Sequence, residues 1–143
     1  MAGKQKLGID GVVVQGLRAA GADTLPRQEG HFKSVIPEMK GCHWATINLQ
    51  LQRPLLVENP DHQTEFDWGA ARPETFSFVK IQLEFPIGGP IRTAWIYIPH
   101  DSPHFGKPFL VEVITEKIEG LTYGSLCRIH VRRGRVEGDW VVI

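Results

Sequence analysis

Apolar and polar residues alternate along most of this chain, and β-branched residues fill many of the apolar positions. A repeat of two marks a strand with one buried face. On that basis strands are predicted at residues 7–14, 46–51, 76–85, 91–98, 109–115, 126–132 and 135–142. Pro86-Ile87-Gly88-Gly89-Pro90 separates two of the clearest strands and reads as a hairpin connection, and Arg133-Gly134 reads the same way near the C-terminus. Helix is sparse. One short helix is expected around residues 31–40 in spite of Pro37, with a further turn at 118–123. The polar, proline-bearing segment 53–74 reads as an excursion over the surface. This content predicts an all-β fold, mainly strand with one or two short helices, closed as a six- to seven-stranded β-barrel; a β-sandwich is the alternative.

The same alternation singles out one pair of polar residues. In Ala45-Thr46-Ile47-Asn48-Leu49-Gln50-Leu51 the apolar face runs through Ile47, Leu49 and Leu51, so Thr46 and Asn48 share the other face. Two neutral oxygen donors side by side suit a hard cation such as Mg²⁺, which needs few protein ligands when a polyphosphate supplies the rest. A strand with an ordinary polar outer face has the same spacing.

Composition narrows the classes. At 143 residues the chain is long enough for one proper core, and residues 1–143 are expected to form a single barrel domain. Sixteen basic and sixteen acidic residues cancel, so the field that a nucleic-acid binder presents to phosphate backbones is missing and nucleic acid is disfavoured as a partner. Cys42 and Cys127 are too few for a disulfide framework and lack zinc spacing, which predicts two buried thiols in a reducing compartment. The charged N-terminus has no apolar stretch behind it, and no apolar run is long enough to cross a bilayer. The expectation is a cytoplasmic protein without a membrane partner, monomeric or a small homo-oligomer.

Four further groups carry candidate chemistry. The first strand ends in Gly11-Val12-Val13-Val14-Gln15-Gly16-Leu17-Arg18-Ala19-Ala20-Gly21, where glycines let backbone approach a phosphate and Arg18 supplies charge; Gly16, Leu17 and Arg18 are the candidate nucleotide contacts. An ordinary turn leaving a strand accounts for the same glycines. His100-Asp101-Ser102-Pro103-His104 follows a strong strand, but Pro103 opposes the helix that i,i+4 histidines need to share a metal, so a polar substrate-facing loop is the better reading. Arg128, His130 and Arg132 share a strand face beside Arg133 and Arg135, with Glu112, Glu116 and Glu119 as the nearby acids. Of the aromatic residues, Trp68 and Phe105 are candidates for stacking a planar ring, because they lie in loops rather than in the expected core.

In this order the pieces resemble the CTP-dependent riboflavin kinases, small cradle-loop β-barrels, over roughly residues 7–131. The glycine-bearing turn after the first strand is similar to that family's, and Ala45-Thr46-Ile47-Asn48 resembles its Gly-Thr-Leu-Asn strand. The resemblance implies that Thr46 and Asn48 hold Mg²⁺, that CTP or another nucleotide is co-substrate, and that riboflavin or a related small molecule is the acceptor. Ile98-Pro99 before Ser102-Pro103-His104 is similar to the family's flavin-side loop, which implies substrate contacts at Ser102 and His104. Gly120-Leu121-Thr122-Tyr123-Gly124-Ser125-Leu126 resembles an ending common to swapped-hairpin barrels. The chain departs from the family where Arg18, Ala19 and Ala20 replace closely spaced glycines, and where Ala45 replaces the leading glycine of the Thr-Leu-Asn motif.

Two functions follow, of different classes. One is a Mg-nucleotide phosphotransferase, with catalysis mostly by positioning and charge neutralisation. The other is a small-ligand or nucleotide-binding barrel without phosphoryl transfer, which the altered glycine turn favours. Sequence alone selects no general base: Glu29, Glu38, Asp61 and Glu65 are all available and none stands out.

Overall fold

The computed structural model describes residues 5–16, 21–67, 69, 72–101 and 106–143. The elements run β1 (Gln5–Val14), α1 (Gly21–Val35), a 3-10 turn (Pro37–Met39), β2 (His43–Leu51), β3 (Leu55–Leu56), β4 (His62–Phe66), β5 (Glu74–Glu84), β6 (Ile91–Pro99), β7 (Leu110–Thr115), β8 (Leu126–Glu137) and β9 (Trp140–Val142). Strands β8, β1, β2, β7, β6 and β5 pair antiparallel in that order, and β5 returns to β8, so six strands close into a barrel. β4 extends the sheet beyond β5, while β9 pairs with β8 and carries β3 in parallel.

Alternation decides which residues fill the barrel. Ile9 and Val13 of β1, Leu49 and Leu51 of β2, and Val79, Ile81 and Leu83 of β5 point inward. They meet Ala94 and Ile96 of β6, Val111 and Val113 of β7, and Cys127, Ile129 and Val131 of β8. A second core lies outside the barrel wall, where α1 covers the outer faces of β5, β6 and β7. There Phe32 is fully buried and meets Phe76 and Phe78 edge-on at 5.1 and 4.9 Å between ring centroids. Strands sandwiched between two cores must be apolar on both faces, which explains why Ala94, Trp95, Ile96 and Tyr97 are all buried in succession.

Several expectations are corrected. The helix spans residues 21–35, with Pro26 inside it, rather than 31–40; Pro37 opens the separate 3-10 turn, at a first position where its missing N–H costs nothing. The turn expected at 118–123 is present, at Glu119, Gly120 and Tyr123. Arg133-Gly134 is no hairpin: β8 runs on to Glu137, and the turn falls at Gly138, whose φ of +61° suits glycine. Gly134 is glycine for packing, since a Cβ there would meet Leu7 Cδ1 at 2.9 Å. Within segment 53–74, β3 and β4 are strands and Leu55 is buried against the barrel core, so this part of the chain is not a bare surface excursion.

The basic face of β8 is also rewired relative to expectation. Arg128 is held by Asp10 at 2.6 Å, and His130 Nε2 by Glu84 at 2.7 Å. The partners therefore come from neighbouring strands β1 and β5, not from acids close in sequence. Cys127 is buried, Cys42 is half-buried and both are free thiols; burial pushes each up to about 11, so neither is poised to react. Among the described residues no helix is long and apolar enough to cross a membrane.

Candidate functional site

The outer face of β2 carries the polar pair. Leu49 and Leu51 fill the barrel while Trp44 joins the core beneath α1, and Thr46 and Asn48 line an open pocket of about 460 Å³ beside the end of β1. The pairing of β2 with β7 slips between His43 and Ile47, a bulge immediately before this pair. Bulges re-aim side chains, and here the register is regular again from Ile47 onward, with Asn48 opposite Glu112.

Gly16 lies against the Asn48 side chain. A Cβ on Gly16 would lie 2.6 Å from Asn48 Nδ2 and 3.0 Å from Asn48 Oδ1, so the carboxamide occupies space that only glycine leaves open. Asn48 Oδ1 is buried and makes no hydrogen bond. Burying an acceptor without a partner costs about 1–3 kcal/mol, and such atoms mark places where an ion, water or ligand completes the structure.

Glu112 is the member of the site that sequence reasoning missed. Val111 and Val113 point into the barrel, so Glu112 faces outward, where alternation predicts solvent. It is nevertheless buried, with 7% of its surface exposed. Burial raises its carboxyl from the ordinary 4.5 to about 7, and a hydrogen bond donated by Thr46 opposes that rise. Beside it in register lies Tyr97, whose hydroxyl donates to Gln28 Oε1 of α1 at 2.9 Å. The Tyr97 phenol is pushed up by burial first and then by the charges of Glu112 and Glu74, and it stays protonated at neutral pH.

A second pocket, of about 400 Å³, counts Glu112 among its lining residues. Leu55, Ile96, Ile98 and Pro108 supply apolar walls. Its polar end holds Ser77 and His100, whose side chains hydrogen-bond at 2.8 Å, and its size falls within the range of small-molecule sites. Glu112 thus lines one pocket while its partner Thr46 lines the other.

The sequence-predicted residues divide clearly. Gly16, Thr46 and Asn48 come together. Leu17, Arg18, Ser102 and His104, with the stacking candidates Trp68 and Phe105, lie outside the described residues. His100, Gly106 and Lys107 all line the second pocket. Of the candidate bases, Glu29 pairs with Lys33, Glu38 with Lys80, Asp61 accepts the Lys80 amide at 2.7 Å, and Glu65 meets Thr75. None of the four lines either pocket.

Among the described residues no group of three His, Cys, Asp or Glu could hold a metal. The side-chain oxygens of Thr46 and Asn48 are a different donor set: hard, neutral, and of the kind that suits Mg²⁺ arriving with a polyphosphate. No family model matches the chain, and no curated protein matches it either.

Proposed function

We propose that the protein is a phosphotransferase of riboflavin-kinase type, transferring a phosphoryl group from a Mg-nucleotide, CTP by resemblance, to a hydroxyl of riboflavin or a related small molecule. One observation carries the reading: Asn48 Oδ1 is a buried acceptor without a partner, set against Gly16 and beside Thr46 and Glu112. These residues fit a hydrated hard cation, with Thr46 and Asn48 as its holders. When bound, Mg²⁺ would neutralise charge on the transferring phosphate.

The chain's own groups account for the rest. The pocket at Gly16, Thr46 and Asn48 takes the nucleotide, and the pocket at Ser77 and His100 takes the acceptor. Glu112 lines the second pocket and accepts a hydrogen bond from Thr46 of the first. With its carboxyl raised to about 7, it is balanced between proton donor and acceptor near neutral pH, as a general base should be. The acceptor hydroxyl gives its proton to Glu112 as its oxygen bonds to phosphorus, the anhydride bond breaks, and the nucleoside diphosphate leaves.

The test is FMN formation from riboflavin with Mg²⁺, comparing CTP with ATP, and with Thr46→Ala/Asn48→Ala and Glu112→Gln as controls. Product that falls by about 10² or more in each variant supports the reading. No product from folded protein with either nucleotide leaves the second reading, a binding barrel without transfer. The substitution of Arg18, Ala19 and Ala20 for glycines in the nucleotide turn favours that alternative.

A further inference from the structure

The loop between β7 and β8 forms one wall of the Thr46/Asn48 pocket through Leu121, Thr122 and Tyr123. It is tied down at several points. Gly124 N donates to Val13 O at 2.7 Å and Val13 N donates to Ser125 O at 2.9 Å, stitching the loop to the end of β1. Ser125 N donates to Thr122 O and Ser125 Oγ accepts from Thr122 N, both at 3.0 Å, which closes a tight turn around Tyr123. Leu121 anchors the same turn on the barrel core.

Tyr123 itself is 70% exposed, the most exposed of the large apolar side chains described. A fixed loop holding a bare aromatic ring at the rim of the Thr46/Asn48 pocket has no role in packing. It offers a preformed stacking surface, and an aromatic face accepts any base because every base presents a π-face. We infer that Tyr123 is the base-stacking residue of the nucleotide site and sets its specificity, so that the site takes purine as well as pyrimidine nucleoside triphosphates. This rests on the phosphotransferase reading for the identity of the pocket, but concerns binding and not transfer. The triphosphate would lie toward Gly16 and Asn48, with the base at the outer edge of the pocket against Tyr123.

Calorimetric titration in Mg²⁺ buffer tests this with three ligands: CTP, ATP and inorganic tripolyphosphate, which has no base. The wild-type protein is expected to bind both nucleotides on the order of tenfold more tightly than tripolyphosphate. Tyr123→Ala should remove that advantage while leaving tripolyphosphate binding unchanged, and Tyr123→Phe should keep it. Nucleotides that bind no better than tripolyphosphate, or keep their advantage in Tyr123→Ala, overturn the assignment and leave the phosphate pocket standing. Loss in Tyr123→Phe equal to that in Tyr123→Ala assigns the effect to the hydroxyl and refutes stacking. A tenfold preference for CTP over ATP refutes base tolerance. Absence of binding by all three ligands overturns the nucleotide pocket and this inference together.

Discussion

Replacing Glu112 by Gln should make the protein more stable at alkaline pH, and the size of the gain follows from burial. The folded carboxyl binds its proton up to about pH 7, whereas in the unfolded chain it releases it near the ordinary 4.5. Between those values the folded state holds more protons, so wild-type stability falls as pH rises through this window. A rise of this size corresponds to about 3 kcal/mol, because each unit is worth about 1.4 kcal/mol. Gln has no charge to desolvate and its carbonyl still accepts the Thr46 hydroxyl.

Urea unfolding of wild type and Glu112→Gln between pH 4 and pH 8.5 reads this directly, because every other titrating group cancels in the difference. The variant should gain on wild type by about 3 kcal/mol across the window, roughly 2 M in urea midpoint at a slope of ~1.5 kcal/mol per M. The two profiles should run parallel below pH 4.5 and again above pH 7.5. Parallel profiles throughout would mean that the folded carboxyl titrates as it does in the unfolded chain, and the argument from burial would be refuted.

Other substitutions test the packing and the pocket separately. Phe32→Ala empties the centre of the aromatic cluster beneath α1 and should cost about 3–5 kcal/mol in denaturant unfolding; a loss below 1 kcal/mol would show that α1 is not held by this core. Gly16→Ala places a methyl 2.6 Å from Asn48 Nδ2, so the carboxamide must swing away. Mg-nucleotide affinity should drop on the order of tenfold while unfolding free energy changes by less than about 1 kcal/mol, and unchanged affinity would separate Gly16 from the site.

The barrel was legible because its strands obey a period of two wherever one face is wet. Residues 7–14, 91–98 and 109–115 coincide with β1, β6 and β7 to within about two residues at each end. What escaped depends on contacts distant in sequence. Gly134 looked like a turn because nothing local shows that a Cβ there would meet Leu7 of β1. β4, with His62, Gln63, Thr64, Glu65 and Phe66, has no apolar face of its own and exists as a strand because β5 offers it an edge. Thr46 and Asn48 were readable as a pair because i and i+2 on a strand share a face. Glu112 was not, since its burial comes from the pairing of β7 with β2 and β6 and from the loops around the second pocket.

The sign of the Glu112 effect also separates a functional carboxyl from a structural one. A structural acid is matched to cations or amide donors, as Glu84 is to Gly88 N and His130, which hold its carboxyl below the ordinary range and stabilise the fold at neutral pH. Glu112 has the opposite balance: burial outweighs the hydrogen bond from Thr46 and raises its carboxyl. Keeping such an arrangement lowers stability as pH rises toward 7, and destabilising groups of this kind concentrate where chemistry needs them. If the protein is the proposed phosphotransferase, Glu112→Gln should raise stability and lower transfer by about 10² or more together. A variant that loses both, or that keeps transfer intact, would mean the carboxyl is held for the fold alone.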